Sequence, residues 1–208
     1  MQADRGDCLV CGSRLATPDG GWIAVQDLRK GDSLKLARGG LAGVVWLGRR
    51  LVDCRRHPQP HTVRPVRVRA GAFADGVPVR DLLLSPDHAV FAGGALIPVA
   101  LLINGSSVVQ EAWESVEYFH VELPEHDSVL AEGLAVESFL DGGTRGAFDD
   151  AVVRQLYPIL ARAEWESEGF APRAFTGPVV QGVVKRLRER RRLERVCRAE
   201  AGNSAQSV

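Results

Sequence analysis

Cys8, Ser85, His88 and His126 put a thiol, a hydroxyl and two imidazoles into one chain, the groups that acyl-transfer chemistry uses. A cysteine thiol is intrinsically nucleophilic and partly ionised near neutrality, so Cys8 is a candidate to attack an acyl carbon. Imidazoles relay protons in the same pH range. Ser85-Pro86-Asp87-His88 sets a hydroxyl and an imidazole three residues apart, directly after the apolar run Leu82-Leu83-Leu84. His126 ends the stretch that begins at His120 and is followed by Ala131-Glu132-Gly133. Each residue taken singly has a plainer reading, because a lone cysteine is more often core filler and a lone histidine beside a strand is more often structural. Cys8-x-x-Cys11 and Cys54-x-x-His57 also offer four zinc-ligand types in two pairs. The long gap between the pairs makes a zinc-stabilised β domain the weakest reading, and the leading one requires neither metal nor cofactor.

These residues must be carried by strands. Over the first two thirds of the chain, short runs rich in Val, Leu, Ile and Trp alternate with Gly, Pro and Asp clusters, the pattern of an all-β domain. SRLATPDGGWIAVQDL, GVVWLGRRLV, VRPVRVRA, HAVFAGGALIPVALL and VEYFHVEL are the clearest runs. Pro18-Asp19-Gly20-Gly21 and Gly93-Gly94 read as hairpin turns. Val66 and Val68 alternate with Arg67 and Arg69, giving one buried and one solvated face.

Past the Gly-rich stretch 141–146 the texture changes to helical spacing over 149–168 and 178–200. Val179, Val180, Val183, Val184, Leu187 and Val196 form the apolar stripe of the second helix, with Pro178 just inside its start. The expected organisation is a leader at 1–7, a β domain at 8–141, a small α-helical extension at 149–200 and a frayed tail at 201–208.

Composition narrows the function. The sequence has 208 residues, 45% apolar and 25% charged, with zero formal net charge. That composition belongs to a globular domain and provides no global field for nucleic acid or anionic membrane. The basic run 185–198 is interleaved with Glu189 and Glu194 and reads as a solvated helix face. No apolar run is long enough for a spanning helix, and the first residues lack the apolar core of a signal peptide. Cytoplasm is the default compartment, where a thiol stays reduced. No nucleic-acid or membrane partner is expected, and nothing fixes an oligomeric state.

In order along the chain, these motifs resemble the Hint (Hedgehog/intein) family, closest to its bacterial self-processing members. Its first block has a nucleophilic Cys, a strand, a Thr-x-x-Gly hairpin and an acidic-Leu-x-x-Gly-Asp segment. Here these are Cys8, Arg14-Leu15-Ala16-Thr17, Gly20 and Asp27-Leu28-Arg29-Lys30-Gly31-Asp32. A Thr-x-x-His block is matched by Ser85 to His88. The last block is an aromatic strand, a His and a small-residue-Asn-Gly turn, and Tyr118, His126 and Ala131-Glu132-Gly133 occupy those places, with Glu132 where the family has Asn.

The resemblance implies a horseshoe-shaped, pseudo-twofold β disk with Cys8 and His88 near its centre. It implies an N-to-S acyl shift in which Cys8 attacks the Asp7 carbonyl, His88 and Ser85 hold the scissile peptide, and His126 assists as acid or base. Ser in place of Thr keeps the hydroxyl but loses β-branched stiffness, so lowered activity is expected. Inteins end in an Asn that cyclises, whereas Leu134-Ala135-Val136-Glu137-Ser138 has no side-chain amide. Cleavage without splicing is therefore expected, with the chain's own N-terminal segment as substrate and water or an external thiol as acceptor. Since little chain precedes Cys8, a Hint-fold structural or binding module without catalysis is the alternative.

Overall fold

The computed structural model describes residues 7–140 and 169–204. The strands among them, in chain order, are β1 (Leu9–Val10), β2 (Arg14–Ala16), β3 (Trp22–Ala24), β4 (Ser33–Lys35), β5 (Leu41–Gly43), β6 (Trp46–Asp53) and β7 (Val66–Val68). They continue as β8 (Leu82–Leu84), β9 (Ala89–Ala92), β10 (Ala95–Pro98), β11 (Val108–Gln110), β12 (Ser115–Glu122), β13 (Ser128–Ala131) and β14 (Leu134–Glu137). One helix, α1 (Pro178–Ser204), follows.

One six-stranded sheet has the order β11-β7-β8-β1-β12-β6, and another has the order β10-β9-β14-β13-β2-β3. Strands β4 and β5 form a separate two-stranded ribbon. The fold is all-β with one C-terminal helix, as the sequence suggested, and neither sheet closes into a barrel. Among the described residues, no helix is long and apolar enough to cross a membrane.

Turn chemistry explains two of the hairpins. Thr17 and Gly21 close the β2–β3 turn, with Gly20 at φ +85°. Gly93 and Gly94 both have positive φ and join β9 to β10 in the two-residue geometry that matches strand twist. Between the sheets, Leu9, Leu82 and Leu84 of the first meet Leu15, Val90 and Val136 of the second in one core.

Strand alternation then divides β1. Leu9 faces that main core, while Cys8 and Val10 face a smaller cluster with Val52, Cys54, Val63 and Tyr118. The nucleophile candidate is thus on the opposite face from its neighbour Leu9.

Helix α1 docks through a narrower ridge than its valine pattern suggested. Val180, Val183 and Leu187 are buried, but Val179 and Val196 are exposed. The buried three are spaced i, i+3, i+7, which puts one ridge on the β body and leaves the flanking valines beside it. The expected helix at 149–168, the boundary at 141–146 and the last four residues of the tail lie outside the described residues.

Candidate active site

Register brings the site together. Leu9 pairs with Phe119 of β12 and with Leu84 of β8, both antiparallel. Stepping back one residue on β1 therefore sets Cys8 opposite His120 on one side and Ser85 on the other. The contacts follow from this placement. Cys8 N–H donates to Ser85 Oγ at 2.9 Å, and Ser85 N–H donates to the Cys8 carbonyl at 2.9 Å. On the other flank, Cys8 Sγ is 2.9 Å from His120 Nε2.

His88 follows the Ser85 turn, whose carbonyl accepts the His88 N–H at 3.1 Å. Its ring is buried, and neither ring nitrogen makes a well-formed hydrogen bond. Burial lowers its pKa to about 4, although the Asp7 carboxylate and the Cys8 backbone both act to raise it. His120 is likewise lowered by burial, to about 3, against the pull of Asp7 and of the Asp7 backbone. Both imidazoles flank the Asp7–Cys8 peptide as neutral rings at pH 7, each able to accept one proton.

An aromatic stack holds His120. Its ring meets Phe139 edge-on with centroids 4.8 Å apart, and Phe139 meets Trp46 at 5.3 Å. Trp46 folds back over Gly48, where a Cβ would come within 2.3 Å of its ring. Gly48 is the residue paired with His120 across β6 and β12, so its missing side chain makes room for the buttress.

His126 sits one step further out. Its Nδ1 accepts the Phe170 N–H at 3.1 Å, which fixes the proton on Nε2. That nitrogen faces Glu137 Oε2 at 3.9 Å. Burial lowers the His126 pKa to about 4, opposed by Asp7. A cleft of about 500 Å³ opens beside His126, walled in part by Arg38, Phe139 and Phe170.

An acidic pair completes the centre. Glu137 Oε1 accepts the Ala89 N–H at 2.6 Å, and Arg173 Nη2 donates to both Glu137 Oε2 at 2.8 Å and Asp7 Oδ2 at 2.9 Å. Burial and the neighbouring Asp7 charge push the Glu137 carboxyl well above the usual range. Burial also acts to raise Asp7, but Arg173 and the surrounding groups outweigh it and hold its pKa below the ordinary value. Arg173 thus binds the two carboxyls together, with Asp7 biased toward its anion and Glu137 biased toward its neutral form.

The structure thus gathers Cys8, Ser85 and His88 around one peptide bond and sets His126 beside Glu137. Sequence reasoning missed three contributors. His120, not His126, meets the thiol; it lay in the aromatic run Tyr118-Phe119-His120, where the alternation of a half-buried strand was the available signal. Glu137 was read only as a residue unable to cyclise. Arg173 gave no sequence signal, because it reaches the site from a segment far along the chain. The four zinc-ligand candidates do not converge: Cys11 is exposed, Cys8 and Cys54 are buried, and His57 Nδ1 accepts the Gln59 N–H at 3.1 Å. Among the described residues, no group of three or more His, Cys, Asp or Glu side chains is placed to hold a metal ion.

The sequence model of the Hint domain family matches residues 7–143, which contain every site residue above except Phe170 and Arg173. Solved structures similar to the chain include the MchDnaB-1 intein, at 21% identity and TM-score 0.45, covering 64% of this chain and 99% of the intein. The bacterial intein-like domain from Clostridium thermocellum is similar at 11% identity and TM-score 0.45, covering 64% and 98%. A DnaB intein from Synechocystis sp. PCC 6803 is similar at 13% identity and TM-score 0.43, covering 64% and 99%. No curated protein sequence matches. With the domain match spanning about two thirds of its length, the chain belongs to the Hint domain family.

Proposed function

We propose that this Hint domain cleaves the peptide bond before Cys8 by an N-to-S acyl shift and does not splice. The observation that carries the reading is the contact of Cys8 Sγ with His120 Nε2 at 2.9 Å, on the same residue whose N–H is held by Ser85 Oγ. Neutral His120 takes the thiol proton as the sulfur attacks the Asp7 carbonyl carbon. The C–S bond forms and the C–N bond breaks. The thiol proton passes from His120 to the departing Cys8 nitrogen, while His88 stands against the Cys8 backbone and holds it as that nitrogen leaves. Ser85 fixes the amide plane throughout.

The resulting Asp7–Cys8 thioester is resolved by water or an external thiol, which regenerates the Cys8 sulfhydryl. Glu137 stands at the end of β14 without a side-chain amide, so no cyclisation releases a downstream segment. A chain with a reporter domain fused ahead of Gly6-Asp7-Cys8 tests the reading. Hydroxylamine or dithiothreitol should release the reporter with Asp7 at its end, and Cys8→Ala should retain it. No release, or equal release from Cys8→Ala, would overturn the proposal.

A non-catalytic Hint module is the second reading. The burial of Cys8 to 5% exposure, with Arg173 drawn over Asp7, is the observation in its favour.

A further inference from the structure

Arg173 reaches the centre from outside the span matched to the Hint family, and three anchors deliver it. Leu96 N–H donates to the Pro172 carbonyl at 2.9 Å, and Ala174 N–H donates to the Leu96 carbonyl at 2.8 Å. Residue 173 is thereby added as a parallel neighbour to β10. Upstream, the Phe170 ring packs on Phe91 and His126 with centroids 5.3 and 5.5 Å apart. Downstream, Val180, Val183 and Leu187 tie α1 into the main core. The guanidinium is therefore placed by a built element and does not rest on a surface contact.

What it meets is the side chain of the residue that donates the acyl group. Arg173 Nη2 spans Asp7 Oδ2 and Glu137 Oε2, and these carboxyl side chains are 18% and 0% exposed. A half-buried guanidinium favours an anionic partner, and a charge-assisted bond of this kind is among the stronger interactions a side chain can make. We propose that Arg173 and Glu137 form a subsite that selects an aspartate at the position preceding the scissile bond, making Asp-Cys the substrate class of this domain. The inference rests on the cleavage reading and adds its specificity.

The selection works by charge and shape together. With aspartate at position 7, its carboxylate and the Glu137 carboxyl share one guanidinium nitrogen of Arg173. Asparagine or alanine there removes the anion, so Arg173 keeps Glu137 alone and residue 7 is no longer held by a charge-assisted bond. Lysine at position 7 places a second cation against Arg173 with poor access to water. A held acyl residue presents its carbonyl to Cys8 at a fixed angle, which raises the fraction of reactive geometry.

The test is a series of full-length chains, each with the same reporter fused ahead of residue 6 and with Asp, Glu, Asn, Ala or Lys at position 7. Hydroxylamine-induced release is timed for each. Aspartate should be fastest, asparagine and alanine slower by roughly tenfold or more, and lysine slowest, as loss of a bond to a charged group implies. The series is repeated in Arg173→Ala and Arg173→Lys, with folding checked by amide protection of β9 and β10. In folded Arg173→Ala the gap between the aspartate chain and the Asp7→Asn chain should collapse to within about twofold, whereas a structural role alone would slow both equally. Arg173→Lys should keep the order with a smaller gap, and it stands in if Arg173→Ala does not fold.

Release that is indifferent to residue 7 overturns the subsite and leaves the cleavage reading intact. A preference for aspartate that survives unchanged in folded Arg173→Ala also overturns it. No release from any chain overturns the cleavage reading, and the specificity falls with it.

Discussion

At the scale of single residues, the two flanks of Cys8 have separable duties. His120 touches the sulfur at 2.9 Å, whereas Ser85 touches the nitrogen of the bond to be broken at 2.9 Å. If His120 is the base that takes the thiol proton, His120→Ala should slow hydroxylamine-trapped cleavage on the order of a hundredfold, the usual worth of a positioned acid–base group. His126, which meets Glu137 and Phe170 but not the sulfur, should cost much less when changed to alanine. Equal losses in the two variants would remove the distinction. Ser85 makes a different prediction. A serine hydroxyl can sample rotamers that β-branching closes to a threonine. Ser85→Thr should therefore speed cleavage by a few fold, and single-turnover rates at saturating hydroxylamine would show it. A slower Ser85→Thr enzyme would mean that the pocket lacks room for the methyl group.

Elements set where these residues stand, and here legibility from sequence was uneven. Hairpins were readable because their chemistry is local: Pro18 to Gly21, and Gly93-Gly94 with φ of +64° and +82°, each contain their own reason for turning. Ser85 and His88 were readable for the same cause, as they lie within one tight turn. The pairing of β1 with β12 was not, since it joins residues more than a hundred positions apart and only the completed register sets Cys8 against His120. Arg173 was further out of reach, being brought in by a backbone bridge to Leu96. Glu132 shows the same limit in the β13–β14 turn. It has φ +48°, rare for a residue with a Cβ, and its buried carboxylate takes 2.7 Å contacts from both Arg14 and Arg80. That clamp also bonds Arg14 N–H and so ties β13 to β2. Glu132→Ala should destabilise the fold by about 2–3 kcal/mol, less than for a fully buried pair because the arginines reach solvent. Urea unfolding would measure it, and a loss under about 0.5 kcal/mol would show that the clamp is ornamental to stability.

For the whole molecule, the consequence of burying so many titratable groups at one point is a steep acid limit. His88, His120 and His126 have pKa values lowered from 6.5 to about 4, 3 and 4, in each case mainly by burial. A base with a lowered folded pKa binds its proton more readily when unfolded. These three therefore contribute stability that is present above pH 6.5 and is lost as the pH falls toward 4. Glu137 acts in the opposite sense: its raised pKa gives stability that is full below the unfolded value of 4.5 and is lost as pH rises through the folded value. Asp7, held below 3.8, adds stability that is lost only at lower pH still. Around pH 5 the three histidines thus each take up about one proton on unfolding, and Glu137 works against them. Linkage converts the imidazole part into at most about 3 kcal/mol of stability lost per pH unit between 6 and 5, which Glu137 reduces. Urea midpoints measured at pH 7, 6 and 5 should fall with that growing slope. His120→Gln should flatten the curve by about one proton while leaving the pH 7 midpoint less affected, because glutamine cannot charge. A midpoint that stays level from pH 7 to 5 would mean that the three imidazoles keep ordinary pKa values in the folded chain, and the acid limit argued from their burial would fall.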